Sequence, residues 1–480
     1  PKPAIAPFNA EQAKQHQEEW AAYLKVPVEY TNSIGMKFRL IPPGEFTMGS
    51  NEIEVEAALA NAVGNKEWME HIRSERPAHR VILTQPFYLG RHEVTQSQFA
   101  SVTGANPSQY ASTGKQREIV EGMDTAAHPV EMVAWDDAFT FCNQLSRSEG
   151  LEMAFDPSAT PASLRLKAGY RLPTEGEWEF ACRAGTETRF WTGDDPAQLA
   201  EAAWFQGPRG THSVGLLKPN PFGLFDVHGN VFEWVFDNWS ADYYGDFLLQ
   251  SAIDPTGPEV STRRGIRGGP FSITATACRS AGRHATRKEF KDEALGFRAA
   301  VSVDAVRQAM KVMGPTTSPK PLNDYFARNR RAAERALAVG GEVFVEIVKT
   351  AEFRAVKAGQ SLPDEPFVVV MWSIKNSTTA KNGDLDVLAG LRHLQQLNLM
   401  ANGRLDADII PMLAAMRSPV KELGIGHINL KTSVLDQLPV MPNVHLLWLS
   451  SEQVDDGWRF LRRFPGLRSI ELYGAPIPDL

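Results

Sequence analysis

The chain has 480 residues, 43% of them hydrophobic and 22% charged, with 50 Lys and Arg against 57 Asp and Glu for a formal net charge of -7. This is the make-up of a folded globular protein too long for one core, so two or more domains are expected; the acidic balance excludes a global pull toward nucleic acid. No apolar run approaches the roughly 18 residues of a membrane span or forms the core of a signal peptide, and three cysteines are too few for a disulfide framework and wrongly spaced for zinc, which predicts a reducing, cytoplasmic setting. A chain that starts at Pro1 is expected to have lost an upstream segment.

In chain order, residues 1–27 hold one helical stretch, "AEQAKQHQEEWAAYLKV". Ala13, Trp20, Tyr23 and Leu24 form its expected apolar stripe, which reads as a docking or linker helix. From 28 to 302 the texture changes to short β-like runs broken by Gly, Pro and Asn, an α+β pattern with many ordered loops. Two helices stand out within it. "WDDAFTFCNQL" puts Ala138, Phe141, Cys142 and Leu145 on one face, and "EGEWEFACRAG" does the same for Trp178, Ala181 and Cys182, so both cysteines read as core positions. Residues 303–325 read as a short helix and a Pro/Thr/Ser linker, with a domain boundary near 315–321.

Beyond it, from 326 to 480, an apolar-x-x-apolar-x-apolar pattern recurs as Phe367/Val370/Trp372, Leu394/Leu397/Leu399, Val420/Leu423/Ile425, Val444/Leu447/Leu449 and Leu467/Ile470/Leu472, with successive starts 27, 26, 24 and 23 residues apart. This pattern resembles leucine-rich repeats, which implies a short solenoid of strands and helical returns such as "DLDVLAGLRHLQ" and "VDDGWRFLRRF".

The larger region carries a sharper resemblance. "IPPGEFTMGS", "HRVILTQPFYLGRHEVTQSQF", "HPVEMVAWDDAFTFCNQLS", "YRLPTEGEWEFACRAGT", "FGLFDVHGNVFEWVFDNW", "RGIRGGPF" and "ALGFRAA" occur in order between about 28 and 302. Together they resemble the formylglycine-generating enzyme family, also called sulfatase-modifying-factor domains, which implies a C-type-lectin-like fold. The order of domains also resembles bacterial proteins with a Ser/Thr kinase upstream; no kinase motif lies in these 480 residues.

The family's enzymes imply a site in which two cysteines, five residues apart after a Gly-Gly-Ser turn, hold Cu(I) for oxidation by O2. Soft thiolates suit Cu(I), and a two-coordinate site needs two of them. Counted from Gly268 and Gly269, the first position is Ile273 and the second Cys278. Pro270, Thr274 and Phe232 stand where the family has Ser, His and Trp. Copper is therefore not expected, and Cys278 reads as a buried packing residue. None of the 11 histidines forms a metal-binding pair, and the helical domain that supplies ligands in the iron-dependent relatives is missing. Calcium fits better, because hard cations take clustered oxygens. The family's structural calcium pattern falls on the side chains of Asp226 and Glu233 with the carbonyls of Gly229 and Val231, while Ala203 replaces an Asn ligand at a second family site, which is expected to be lost.

These features predict a non-catalytic binding or sensing protein with a protein or peptide partner and possible upstream kinase or effector domain, without nucleic acid or membrane. Two alternatives stay open: a copper/O2-dependent oxidase, and a lectin-like variable ligand-binding protein whose loop from Phe271 to Thr286 is diversified. In the binding reading Phe271, Ser272, Ile273, Thr274 and Thr276 form a shallow wall. Arg279, Arg283, His284 and Arg287 would supply positive charge for an acidic ligand, or else tie loops together.

Overall fold

Short strands and long ordered loops dominate the first half of the computed structural model, which describes all residues except 155–167, 208–209, 314–321, 348–351, 365–366, 376, 392–393, 401–403, 417–419, 427–434, 451–458 and 474–480. The chain divides into two units, Pro1–Ser146 with Leu151–Pro319 and Arg147–Gly150 with Lys320–Leu480. The expected boundary at 315–321 lies outside the described residues.

In the first unit, one sheet orders Ala4–Ile5, Gly44–Met48, His79–Leu83 and Ala252–Ile253; a second orders His284–Arg287, Arg263–Arg267, Phe232–Asn238 and Leu295–Gly296. A third orders Glu29–Thr31, Lys37–Ile41, Phe87–Gly90, Ala300–Ser302 and Tyr170–Arg171. Helices Trp135–Ser148 and Glu175–Arg183 bury the faces that their spacing predicts, Ala138, Phe141, Cys142, Leu145, Trp178, Ala181 and Cys182 all being inside. Three fully buried tryptophans anchor the loops through their indole N–H groups: Trp135 donates to the Val235 carbonyl (2.9 Å), Trp234 to that of Val133 (2.9 Å) and Trp178 to Glu233 Oε2 (2.8 Å). Each couples aromatic burial to a specific polar partner.

Of the two readings of the N-terminal segment, docking or linker helix, the structure shows docking: the segment is built into this unit. Ala4–Ile5 pairs in parallel with Gly44–Met48, and Gly44 is required there because a Cβ would lie 2.4 Å from the Ala4 carbonyl oxygen and 2.3 Å from Phe180. Asn9 and Gln12 cap helix Ala10–Leu24 reciprocally. The buried face of this helix is Ala13, Gln17 and Ala21: of the expected stripe Ala13 is buried, Trp20 and Leu24 are half-buried and Tyr23 is 67% exposed. The reason is polar: Gln17 Nε2 donates to the carbonyls of Leu40 (2.7 Å) and Phe222 (3.1 Å), acceptors that an apolar stripe would leave unmet. At the other end, helix Val303–Met313 buries Val303, Ala305, Val306 and Ala309, and Arg307 Nη2 donates to the Leu24 carbonyl (2.6 Å). This is the short helix expected after residue 302, and it belongs to the first unit.

The second unit starts with helix Leu322–Ala338 and one seven-stranded sheet ordered Phe353–Lys357, Glu342–Ile347, Phe367–Ser373, Gln396–Asn398, Glu422–Gly424, Leu446–Ser450 and Ser469–Tyr473. The last five strands are parallel, and Trp372, Leu397, Leu423, Leu447 and Ile470 stand in register across them. The first four of these are buried with Leu394, Leu399, Val420, Ile425, Val444 and Leu449 in one core. The register corrects the expected pattern by two residues in its first unit: Trp372 is the equivalent of Leu397, not Leu399. Both faces of Phe367–Ser373 are buried, so apolar residues at every position blur the period. The connections include 3-10 turns at Asn382–Gly390, Ala407–Ile409 and Arg459–Arg463.

Charge, as well as apolar packing, holds the first unit together. Every residue of helix Glu175–Arg183 is buried, including three glutamates. Glu175 accepts from Arg283 Nε (2.9 Å) and Arg267 Nε (3.0 Å); Glu179 accepts from Arg267 Nη2 (2.7 Å), Arg183 Nε (2.9 Å) and the Gly49 amide (2.9 Å); Glu177 is bidentate with Arg171 (2.6 and 2.7 Å). Burial opposes ionisation of Glu175, but Arg283 and Arg267 outweigh it and hold its carboxyl below the usual range. Removing one partner leaves a buried charge unmatched. Arg283→Ala is therefore expected to lower the stability of the first unit by about 3–5 kcal/mol in urea denaturation, and Arg283→Lys to recover only part of it, because lysine lacks the fork. A loss within about 0.5 kcal/mol would mean that the pair is not a structural clamp.

Candidate functional site

Strand Arg263–Arg267 runs into Gly268 and Gly269, with φ of 91° and 72°. Gly269 is needed twice over, for this left-handed backbone and because a Cβ would lie 2.8 Å from the Cys278 sulfur. The chain then turns through Pro270 and Phe271, whose amide donates to the Asn230 carbonyl (2.9 Å), and folds into the 3-10 turn Ala275–Cys278.

Cys278 lies wholly inside, in a small apolar cluster with Phe190, Leu199, Ala203 and Ala275. Burial pushes its thiol up to about 12, so at neutral pH it is not the thiolate that metal binding or nucleophilic chemistry uses. Ile273 stands at the paired position, half-buried, its carbonyl accepting from the Gln206 amide (2.9 Å). Cys182 sits 3.8–3.9 Å from both ring nitrogens of His228 and is likewise pushed up to about 12 by burial. His228 is a structural bridge that sequence reading missed. Fully buried and pushed down to about 3 chiefly by that burial, its neutral ring accepts the Trp191 amide at Nε2 (3.2 Å) and is also hydrogen-bonded to the backbone of Cys278. All three cysteines are free and buried.

The expected positive wall is not there. Arg279 forms a bidentate pair with Glu75 (2.6 and 2.6 Å), Arg283 binds Glu175 and the Ser74 carbonyl (2.8 Å), and His284 is buried against His71 and Phe232. These three side chains tie loops together, and of the expected basic group Arg287 alone is exposed. The same burial bears on a diversified loop: Ala275 and 277–285 are all inside, where substitutions would break packing or strand a carboxylate. Ser272 and Thr274 are exposed, and Ile273 and Thr276 half-buried.

Phe271 and Ser272 do line a cleft, of about 670 Å³. It is also lined by Gln109, Tyr110, Gln116, Ile119, Met132, Gly207 and residues 291–294. Ile273, Thr274 and Thr276 are not among its lining residues.

The acidic pair of the calcium pattern is split by the structure. Glu233 is committed to the buried guanidinium of Arg298 (2.6 and 2.6 Å) and to Trp178. Asp226, with φ of 54°, accepts from the Gly215 amide through Oδ2 (2.7 Å), while its buried Oδ1 has no partner. Glu93, fully buried, has no partner on either carboxylate oxygen. Burial, then the charge of Asp226, pushes its carboxyl well up. Three acidic oxygens of Glu93 and Asp226 thus lack a hydrogen-bond partner, and oxygens of this kind would suit a hard cation. Glu93 lies 133 residues before Asp226, and no spacing rule points to it. Among the described residues no three His, Cys, Asp or Glu side chains converge as a metal-holding group, so a cation here would depend on two carboxylates supplemented by carbonyls such as those of Gly229 and Val231.

Residues 29–303 match the model of the sulfatase-modifying factor enzyme 1-like domain. The chain is 28% identical over 278 residues to a serine/threonine-protein kinase pkn1 of Chlamydia pneumoniae, covering 55% of this chain and 38% of that protein. It is 32% identical over 197 residues to a formylglycine-generating enzyme of Thermomonospora curvata, covering 37% and 56%. Among solved structures it is similar to Treponema denticola variable protein 1, with 27% identity, a TM-score of 0.48, and coverage of 57% of this chain and 99% of that one. The matched region thus spans between about a third and three fifths of the two curated relatives. With its ordered sequence blocks, buried tryptophans and family-model match over more than half its length, the chain belongs to the sulfatase-modifying factor enzyme 1-like family.

Proposed function

We propose that this protein is a non-catalytic binding or sensing module built on the formylglycine-generating-enzyme-like scaffold. The observation that carries the reading is the pair Ile273 and Cys278: one position has no thiol, and the other has its thiol sealed in an apolar cluster. The in-register parallel ladder of the second unit, read as leucine-rich repeats, supports a protein or peptide partner, because such ladders present one sheet face for recognition. The kinase-named chlamydial relative, of which the match spans 38%, supports a larger product with a kinase or effector domain. A cytoplasmic setting is in keeping with three free, buried cysteines.

Incubation with Cu(I), O2 and a Cys-x-Pro-x-Arg peptide, followed by mass spectrometry, is expected to show no aldehyde product. Product formed at a rate that falls with Cys278→Ser would overturn the reading.

Within this scaffold Ca2+ is the proposed structural ion, held by Asp226 and Glu93 with the Gly229 and Val231 carbonyls, while Glu233 positions Arg298 beside them. A cation bound only by the native state stabilises it. Saturating calcium should raise the melting temperature of the first unit by ~5 °C or more relative to chelator, and Asp226→Ala or Glu93→Gln should abolish the increment. An equal rise in both variants would remove these residues from the site.

A further inference from the structure

In the antiparallel strands Glu29–Thr31 and Lys37–Ile41 the register sets Glu29 opposite Arg39 and Thr31 opposite Lys37, so Glu29, Lys37 and Arg39 share one face of the sheet. Just past the next strand, Phe87–Gly90, the Arg91 amide donates to the Lys37 carbonyl (2.8 Å) and brings a third cation to that edge. All three turn to one carboxylate. Lys37 Nζ lies 3.8 Å from Glu29 Oε1, while Arg39 Nη1 and Arg91 Nη1 lie 3.8 and 3.4 Å from Oε2. These separations all exceed the roughly 2.7–2.9 Å of a charge-assisted hydrogen bond. Inside the same unit Arg171, Arg279 and Arg298 each meet a carboxylate of their own at 2.6 Å.

The donors are nonetheless preorganised. Arg39 lies flat on Gly223, where a Cβ would stand 2.9 Å from its Nε. Its Nε and Nη2 donate to the Phe222 carbonyl (3.0 Å) and Gln17 Oε1 (3.3 Å), which leaves Nη1 for Glu29. The Arg91 guanidinium lies over the Phe225 ring at 4.8 Å. Burial presses the Arg39 guanidinium below its ordinary value; Glu29 opposes this and Arg91 adds to it. The side chains of Arg39, Arg91 and Lys37 are still 22%, 31% and 47% exposed, within reach of a ligand. Arg39 also lines a cleft of about 360 Å³ with Lys14, Val28 and Pro221, large enough for the group that carries an anion.

We infer that Lys37, Arg39 and Arg91 form a site for a phosphate monoester, with Glu29 as its internal competitor. The charge count selects this ligand. Three cations against one carboxylate leave an excess of two positive charges, which a phosphate monoester at about −1.5 to −2 nearly matches and a second carboxylate does not. Its three acceptor oxygens also allow one to each donor. Lys14 and Glu18 pair with each other (3.7 Å) and leave the balance unchanged. The inference is independent of the Ile273–Cys278 pair on which the binding reading rests.

Isothermal titration calorimetry of the intact chain tests it with three probes: inorganic phosphate, an N-acetylated Ala-phosphoserine-Ala amide, and the same peptide with glutamate in place of phosphoserine. The phosphopeptide should bind at one site about tenfold or more tightly than the glutamate peptide. Lys37→Gln and Arg91→Gln should each weaken it by about tenfold with unchanged melting temperatures, and Glu29→Gln should tighten it by about threefold. A phosphopeptide held more tightly than inorganic phosphate would support the site and place the ester on a partner protein. Inorganic phosphate held as tightly or more so, and weakened by the same two variants, would support it with a small phosphate as ligand. No saturable binding of either by the native chain and Glu29→Gln would overturn the inference. So would binding that survives Lys37→Gln and Arg91→Gln, a glutamate peptide held as tightly as the phosphopeptide, or weaker binding by Glu29→Gln.

Discussion

The buried carboxylates of helix Glu175–Arg183 are the constraint on which the first unit depends. Glu175 and Glu179 collect Arg267, Arg283 and Arg183, and through those guanidiniums the carbonyls of Ser280, Ser74 and Gly49. Segments from four distant parts of the chain meet at one helix. Strands of only two to seven residues offer few ladder hydrogen bonds, so this loop-rich unit relies on side chains to fix its turns. Charges taken out of water remain tolerable only when each is matched in geometry and number. That condition makes the arrangement specific: a guanidinium can go only where its carboxylate waits.

The same constraint explains the character of the candidate site. Arg279 and Arg283 are consumed by Glu75 and Glu175 inside the protein, and His284 is packed between aromatic and basic neighbours. The positive charge of the segment is spent on architecture. What reaches the cleft is the opposite sign, Asp292 and Glu293, from residues just past the basic stretch that ends at Arg287. The Gly268–Gly269 turn, the 3-10 turn and the His228 bridge keep a shaped site, while Ile273 and the sealed Cys278 leave it without a pair of thiolates.

Much of the fold is legible in local pattern. Helical spacing locates the core faces around Cys142 and Cys182, and the repeating apolar triplets locate the parallel ladder. The exceptions share a physical cause. The inward face of helix Ala10–Leu24 is chosen by two carbonyls that need Gln17, the first ladder strand is shifted because both its faces are buried, and Glu93 feels the charge of Asp226 from more than a hundred residues away in sequence. None of these depends on neighbours in sequence. Long-range matching of polar groups is invisible to periodicity, so a row of arginines reads as a binding surface until their partners are in view. Glutamates at every second position of a helix, as in "EGEWE", are the one local warning, because successive ones lie about 200° apart and so put acids on opposite faces, where an amphipathic helix keeps one face apolar.

The central claim is that Cys278 packs and does not react. It is tested most directly by alkylating the native protein with iodoacetamide, with and without Cu(I), and following Cys278 by peptide mass spectrometry. Labelling should be no faster than unfolding of the first unit and should not change with Cu(I), since the thiol is wholly buried and held protonated. Rapid labelling of the folded protein that Cu(I) suppresses would contradict the account and restore a metal-binding thiolate.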